Sequence, residues 1–107
     1  MMIKTLNQNN FQEAIQSSTP ILVDFWATWC GPCMMQGEVL HQLDEELPSL
    51  QIGKVNVDEC RDLAVKFGIS AIPTMILFKN GEAVESVTGL RNAGQIKEIF
   101  QKNGVSC

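Results

Sequence analysis

Clusters of positive charge are missing from this sequence. Its 8 Lys and Arg residues are outnumbered by 12 Asp and Glu, so the formal net charge is −4. No run of Lys or Arg could neutralise a row of phosphates, which is the main source of affinity for nucleic acids and for anionic membranes. We therefore do not expect either of these as the principal partner.

Long apolar runs are missing as well. No stretch approaches the roughly 20 apolar residues that a membrane-spanning helix needs. The first eight residues, MMIKTLNQ, lack the charged segment followed by an apolar stretch that marks a secretory signal. We expect a cytoplasmic protein without a membrane partner, and in that setting its 4 cysteines are catalytic, metal-binding or inert more often than structural.

The chain also lacks internal repeats, linkers and low-complexity segments. Its composition, 45% hydrophobic and 19% charged, is that of an ordinary globular protein. A chain of 107 residues can bury most of its apolar surface without a metal or structural disulfides. We expect residues 1–107 to form a single domain.

Apolar periodicity predicts strands that alternate with helices. Strands are predicted over residues 2–6, 21–27, 51–57, 74–79 and 83–88, and helices over 8–17, 30–47, 60–66 and 93–102. Asn7 is predicted to cap the first helix, and Asn80-Gly81 is a strong signal for a tight hairpin. This order predicts an α/β fold with a mixed sheet, whose parallel part comes from strand-helix-strand units, and with helices on both faces.

Cys30 and Cys33 lie where the second predicted strand passes into a helix. Two cysteines at this spacing share one face of the first helical turn and can form a short disulfide. A helix N-terminus stabilises an anion by roughly 0.3–2 kcal/mol, which lowers a thiol pKa by up to about one unit. Such a drop raises the thiolate fraction at pH 7 from a few per cent to about a quarter. The spacing therefore predicts a redox-active nucleophile.

Zinc is the alternative for this pair, because two cysteines at that spacing are also half of a common four-ligand zinc site. The remaining candidates are Cys60, Cys107 and the single histidine, His41, and none of them forms a second ligand pair. His41 follows Cys33 on the same predicted helix, at roughly 12 Å along its axis. We expect no bound metal, although the spacing alone leaves zinc open.

The two cysteines belong to a longer series of motifs. The series consists of Asp24, the segment FWATWCGPC at 25–33, KVNVD at 54–58, IPT at 72–74, FKNG at 78–81 and Gly89. Together these motifs resemble the thioredoxin family across essentially the whole chain. The resemblance implies the thioredoxin fold, with a central mixed sheet of about five strands flanked by about four helices. It also implies protein-disulfide reductase activity by dithiol–disulfide exchange.

The resemblance assigns roles to four residues. Cys30 matches the exposed attacking cysteine of the family, and Cys33 matches the more buried resolving cysteine. Asp24 matches a buried carboxylate that accepts a proton through water, and Lys54 matches a lysine that moderates the pKa of that carboxylate. Independently of the family, burial of Asp24 in an apolar strand should raise its pKa by desolvation.

The resemblance further implies a docking surface for an extended substrate segment. This docking surface comprises Trp29, Gly31, Pro32, Ile72, Pro73 and Gly89. The peptide bond before Pro73 should be cis, and Trp26 should pack beneath the site. Electrons should come from NADPH through a flavin-containing thioredoxin reductase, so the expected partners are that reductase and disulfide-containing proteins. The chain itself should bind no cofactor and should be a monomer.

Four positions depart from the family pattern or stand outside it. Met34 replaces a basic residue, and Glu38 replaces a helix-kinking proline, so the helix should be straighter unless Gly37 lets it bend. Cys60 is either a buried inert thiol or a thiol used in redox regulation or dimer formation. Cys107 should be exposed and open to oxidation.

Two further functions remain open at this point. The same fold could act in the opposite direction, as a thiol oxidase or isomerase in an oxidising compartment. A thioredoxin-like domain could also serve as a binding module without catalysis. The reduction potential, compared with that of glutathione, separates the reductant from the oxidant.

Overall fold

A central sheet with helices on both faces makes up the fold. The computed structural model describes residues 3–107, so Met2 of the first predicted strand lies outside it. The elements, in chain order, are β1 Lys4–Thr5, α1 Phe11–Ile15, β2 Ile21–Trp26, α2 Gly31–Glu46, β3 Gln51–Asn56, α3 Arg61–Lys66, β4 Thr74–Lys79, β5 Glu82–Thr88 and α4 Ala93–Lys102. The predicted alternation of strands and helices is confirmed.

The five strands have the order β1-β3-β2-β4-β5. β3 runs parallel to both β1 and β2, whereas β4 runs antiparallel to β2 and to β5. The sheet is therefore mixed, as predicted, and β2 lies at its centre. The segment with Cys30 and Cys33 follows the carboxyl end of β2 after a short loop. The two cysteines therefore lie beyond the carboxyl end of the central strand.

Each face of the sheet has its own core. On one face, Leu22 of β2 packs with Leu40 of α2 and Ile96 of α4. On the other face, Val23 of β2 packs in the cluster that contains Phe11 of α1 and Leu63 of α3. Because successive strand residues point to opposite faces, Asp24 shares the α2 face with Leu22. The fold thus brings the buried carboxylate beneath the helix that carries the cysteines.

Helix α1 is shorter than predicted, and Asn7 is not its N-cap. The Asn7 side chain accepts hydrogen bonds from the backbone N–H groups of Asn9 and Asn10, at 2.8 and 3.2 Å. These bonds form a turn before the helix, which begins at Phe11 after the cap residue Asn10. Asparagine side chains compete with helical backbone bonds in this way, which is why the start predicted at residue 8 is wrong.

The hairpin and the last helix agree with their sequence signals. Asn80 and Gly81 both have positive φ, 54° and 83°, as the central residues of a type I′ hairpin turn must. Asn92 and Gln95 form a reciprocal capping box at the start of α4. No helix in residues 3–107 is both long enough and apolar enough to span a membrane.

Candidate active site

Cys30 and Cys33 form a disulfide at the N-terminus of α2, with their Cα atoms 5.2 Å apart. Cys30 is the N-cap residue, and its sulfur accepts a hydrogen bond of 3.2 Å from the backbone N–H of Cys33. Cys30 retains 6% of its surface exposed, whereas Cys33 has none. Cys30 is thus less exposed than the resemblance implies, but it is the residue of the pair that reaches the surface.

A groove of about 500 Å³ lies beside Cys30. Four members of the docking surface line it together with Cys30: Trp29, Gly31, Pro32 and Ile72. The Cys30 sulfur lies 3.8 Å from the carbonyl oxygen of Ile72. An extended substrate segment in this groove would pass the Cys30 sulfur and would lie within reach of the Ile72 carbonyl oxygen.

Pro73 follows Ile72, which lines this groove, and Gly89 is hydrogen-bonded to Pro73. The Ile72–Pro73 peptide bond is cis, as the resemblance implies. The N–H of Gly89 donates a hydrogen bond of 2.8 Å to the Pro73 carbonyl. Gly89 has a φ of +97°, which L side chains rarely adopt, so the sharp turn at this point favours glycine. The structure therefore connects all six predicted docking residues to the surroundings of Cys30.

Trp29 is held in place by a residue that the sequence reasoning did not single out. Its indole N–H donates a hydrogen bond of 2.8 Å to a carboxylate oxygen of Asp58. The rest of the ring is open to solvent, because the residue is 70% exposed. Asp58 is the second residue after the end of β3, and no local pattern could have linked it to a tryptophan in another loop.

Asp24 is fully buried in the central strand. Neither of its carboxylate oxygens has a hydrogen-bond partner among residues 3–107. Desolvation raises the pKa of Asp24 to about 7, although the positive charge of Lys54 partly opposes that rise. A carboxyl group with this pKa exchanges protons readily near neutral pH.

Lys54 faces Asp24 across the neighbouring strands, since the two residues are partners in the β2–β3 register. Its ammonium nitrogen lies 4.6 Å from the centroid of the Trp26 ring. A Cβ atom placed on Gly37 would lie 3.3 Å from the same nitrogen, so the lack of a side chain there gives the lysine room. Trp26, in turn, packs against the cluster formed by Ala27, Cys30 and Cys33.

Helix α2 runs without interruption from Gly31 to Glu46. Glu38 lies within this helix, at the position where the family pattern has a proline. Met34 is 43% exposed on the first turns of the helix. Both residues border a second groove of about 690 Å³, which also touches Trp26, Cys33 and Lys54.

Gln36 is a buried polar residue that the sequence reasoning missed. It has no exposed surface. Its amide nitrogen donates to the Arg91 carbonyl at 3.0 Å, and its amide oxygen accepts from the Arg91 N–H at 2.8 Å. The signal was present in the sequence, because Gln36, Leu40 and Leu43 share the buried stripe of α2.

The other two cysteines lie outside the site. Cys60 is buried, with 4% of its surface exposed, and both burial and the Glu59 carboxylate raise the pKa of its thiol, although a backbone hydrogen bond with Gln8 lowers it. Cys107 is free and exposed. Within residues 3–107, no three His, Cys, Asp or Glu side chains are grouped so that they could hold a metal ion.

Comparison with known proteins identifies the family of this site. Residues 2–102 match the family model described as Thioredoxin. The chain is 46% identical over 94 residues to a thioredoxin of Alicyclobacillus acidocaldarius, which covers 87% of this chain and 90% of the relative. It is 43% identical over 104 residues to a thioredoxin of Staphylococcus haemolyticus, which covers 96% of this chain and 99% of the relative.

The similarity extends to three dimensions. The structure of a Malassezia sympodialis thioredoxin superposes with a TM-score of 0.87 at 29% identity, covering 97% of this chain and 92% of the other. Thioredoxins are protein-disulfide oxidoreductases that carry a redox-active cysteine pair, and Cys30 and Cys33 occupy the position of that pair. The chain therefore belongs to the thioredoxin family.

Proposed function

We propose that this protein reduces disulfide bonds in other proteins, with Cys30 as the nucleophile and Cys33 as the resolving cysteine. The observation that carries the proposal is the asymmetry of the pair. Both sulfurs belong to one disulfide at a helix N-terminus, but Cys30 borders the docking groove and Cys33 is buried. A substrate disulfide can therefore approach Cys30 only.

The reaction consists of two thiol–disulfide exchanges. In the reduced protein, the Cys30 thiolate attacks one sulfur of the substrate disulfide, and the other substrate sulfur leaves as a thiolate. This step forms a mixed disulfide between Cys30 and the substrate. The Cys33 thiolate then attacks the Cys30 sulfur and releases the second substrate thiolate, which leaves the Cys30–Cys33 disulfide. The substrate gains two electrons, and the protein loses two.

Asp24 is the proton acceptor for the second exchange. Its pKa of about 7 leaves it partly ionised at neutral pH, so that it can take the Cys33 proton through a water molecule. The groove bordered by Cys33 and Lys54 is the side of the site from which this water would enter. Lys54 keeps the pKa of Asp24 from rising further.

The remaining parts of the proposal combine what family membership implies with the expectations from the sequence. NADPH supplies electrons through a flavin-containing thioredoxin reductase, and the substrates are proteins with accessible disulfides. Residues 1–107 act as one domain, as a monomer, in the cytoplasm. No cofactor is bound to the chain itself.

Two measurements test the proposed direction of the reaction. The reduced protein should accelerate the reduction of insulin disulfides by dithiothreitol. Its reduction potential, determined in glutathione buffers, should lie below that of the glutathione couple. A reduction potential well above that of the glutathione couple would indicate a thiol oxidase. If the protein did not accelerate insulin reduction, it would be a binding module without catalysis.

Lys54→Met tests the electrostatic role of the lysine. Removing the positive charge should raise the pKa of Asp24, so that less of the carboxylate is ionised at pH 7. We expect insulin reduction at pH 7 to slow by about 2- to 5-fold and to recover at higher pH. The matched control is Lys66→Met, because Lys66 also lies over an aromatic ring, that of Phe67, but on α3. Equal pH profiles for the two variants would contradict this role.

A further inference from the structure

Hydrogen bonds connect the loop that follows β5 to two segments beside the dithiol, the one that contains the cis-proline and helix α2. Towards the cis-proline, the Gly89 N–H donates to the Pro73 carbonyl at 2.8 Å. Towards α2, the buried amide of Gln36 pairs with both backbone polar groups of Arg91. Gln36 lies one helical turn after Cys33, so the position of this loop is set relative to the reacting sulfurs.

The same loop holds the Arg91 side chain in a defined place. One guanidinium nitrogen, Nη1, donates to the Thr88 carbonyl at 3.0 Å and to the Leu90 carbonyl at 3.4 Å. A Cβ atom built on Gly89 would lie 3.4 Å from that nitrogen. The guanidinium is therefore folded back against Gly89, at the edge of the docking surface, instead of extending into solvent.

Most of the binding capacity of this guanidinium is unused. Nη1 makes both side-chain hydrogen bonds, which leaves the N–H groups of Nη2 and Nε without a protein partner among residues 3–107. The ion pairs in that part of the chain are His41–Glu45 and Lys102–Glu85, and neither involves Arg91. A planar guanidinium with free N–H groups suits a carboxylate, which it can bind through two parallel hydrogen bonds.

We propose that Arg91 determines substrate specificity by binding a carboxylate side chain on the substrate segment that occupies the docking surface, and that Gln36 positions Arg91 for this contact. The inference rests on the proposed function, because it concerns the substrates of the same dithiol. Met34, on the first turns of α2, adds no charge of its own to the site. The preferred substrate therefore has Asp or Glu near the cysteine that Cys30 attacks.

The experiment uses two synthetic peptides, each closed by one disulfide and identical except for the residues beside the cysteines, which are Glu in one peptide and Gln in the other. The second-order rate constant for reduction by the reduced full-length protein is measured for each. Each rate is divided by the rate with dithiothreitol, so that differences in intrinsic reactivity cancel. We expect the normalised Glu-to-Gln ratio to be about 3 to 10 for the wild type at low salt. The ratio should fall in 1 M salt, where charges are screened within about 3 Å.

Variants locate the origin of the preference. Arg91→Gln should bring the ratio to about 1, and Arg91→Lys should restore part of it, since lysine keeps the charge but not the planar fork. Arg61→Gln is the matched control, because it makes the same charge change at an exposed position on α3. That variant should keep the wild-type ratio.

A second pair of variants tests the positioning role. Gln36→Leu keeps a side chain of similar size but removes both bonds to Arg91, so the ratio should fall about 2-fold or more. Gln42→Leu makes the same change at an exposed position of α2 and should leave the ratio unaltered. An unchanged ratio in Gln36→Leu would overturn the positioning role.

The outcomes separate this inference from the function beneath it. A wild-type ratio near 1, or a ratio that survives in Arg91→Gln, overturns the specificity role while reduction itself continues. Failure of the wild type to reduce either peptide would overturn the proposed reductase function, and the inference with it.

Discussion

Cys30→Ser is expected to abolish the reduction of insulin disulfides. A serine hydroxyl is not ionised at neutral pH and cannot form a mixed disulfide, and Cys33 is too deeply buried to replace Cys30 as the attacking group. The rate should fall by at least about a thousandfold, as is usual when a covalent nucleophile is removed. The measurement is insulin turbidity with dithiothreitol as the electron source. A variant that kept the wild-type rate would remove Cys30 from the mechanism.

Cys33→Ser should give a different result, because the first exchange remains possible and the second does not. The variant should accumulate as a mixed disulfide with its substrate, one molecule bound to each protein chain. Intact mass spectrometry before and after treatment with dithiothreitol measures this product. Its absence would show that Cys33 is not the group that resolves the intermediate.

The other two cysteines provide the controls for these variants. Cys107 is exposed, so it could form a mixed disulfide of its own, and the trapping experiment is therefore repeated in a Cys107→Ser background. Cys60 is buried, and burial raises the pKa of its thiol. Cys60→Ser should retain full turnover, whereas a loss of turnover would assign a required role to that thiol.

Those elements that depend on local signals could be predicted from the residues alone. β4 and α4 were predicted with the bounds that the structure has, because each is a strongly patterned segment between clear turn or cap residues. The predicted start of α1 was wrong, since the side chains of Asn7 and Asn10 offer the backbone alternative hydrogen bonds. Local propensity does not reveal which of these competing bonds prevails.

The residues of the site also differ in whether the sequence alone could identify them. The cysteine pair and the anomaly of Asp24 in an apolar strand are visible in the sequence, and burial accounts for the raised pKa. The effect of Lys54 on Asp24 could be inferred only from the family resemblance, because the pairing of the two residues depends on strand register. Arg91 was found only in the structure, because the segment around it looks like an ordinary loop.

Asp24→Asn is expected to stabilise the oxidised protein, and to do so in a pH-dependent way. The folded pKa of about 7 lies above the value of 3.8 expected without burial. Folding therefore favours the protonated carboxyl, so this contribution to stability is fully present below about pH 4 and is lost as the pH rises to about 7. The total loss is on the order of 4 kcal/mol. Asparagine does not ionise, so the variant avoids this loss.

Urea unfolding at a series of pH values measures this effect. The difference in unfolding free energy between Asp24→Asn and the wild type should be smallest near pH 4, should grow by about 1.4 kcal/mol per unit, and should level off above pH 7. Asp62→Asn, at an exposed position of α3, should show no such slope. A difference that stayed constant with pH would mean that Asp24 does not carry a raised pKa.

The same substitution should slow the resolving exchange, because an asparagine amide cannot accept the proton of Cys33. General acid–base catalysis contributes roughly a hundredfold or more, so release of substrate from the mixed disulfide should slow on that scale near pH 7. Attack by Cys30 should change less, since its thiolate is stabilised by the helix N-terminus and the Cys33 N–H. A more stable protein that turns over more slowly would show that the buried carboxylate is kept for the reaction at the expense of the fold.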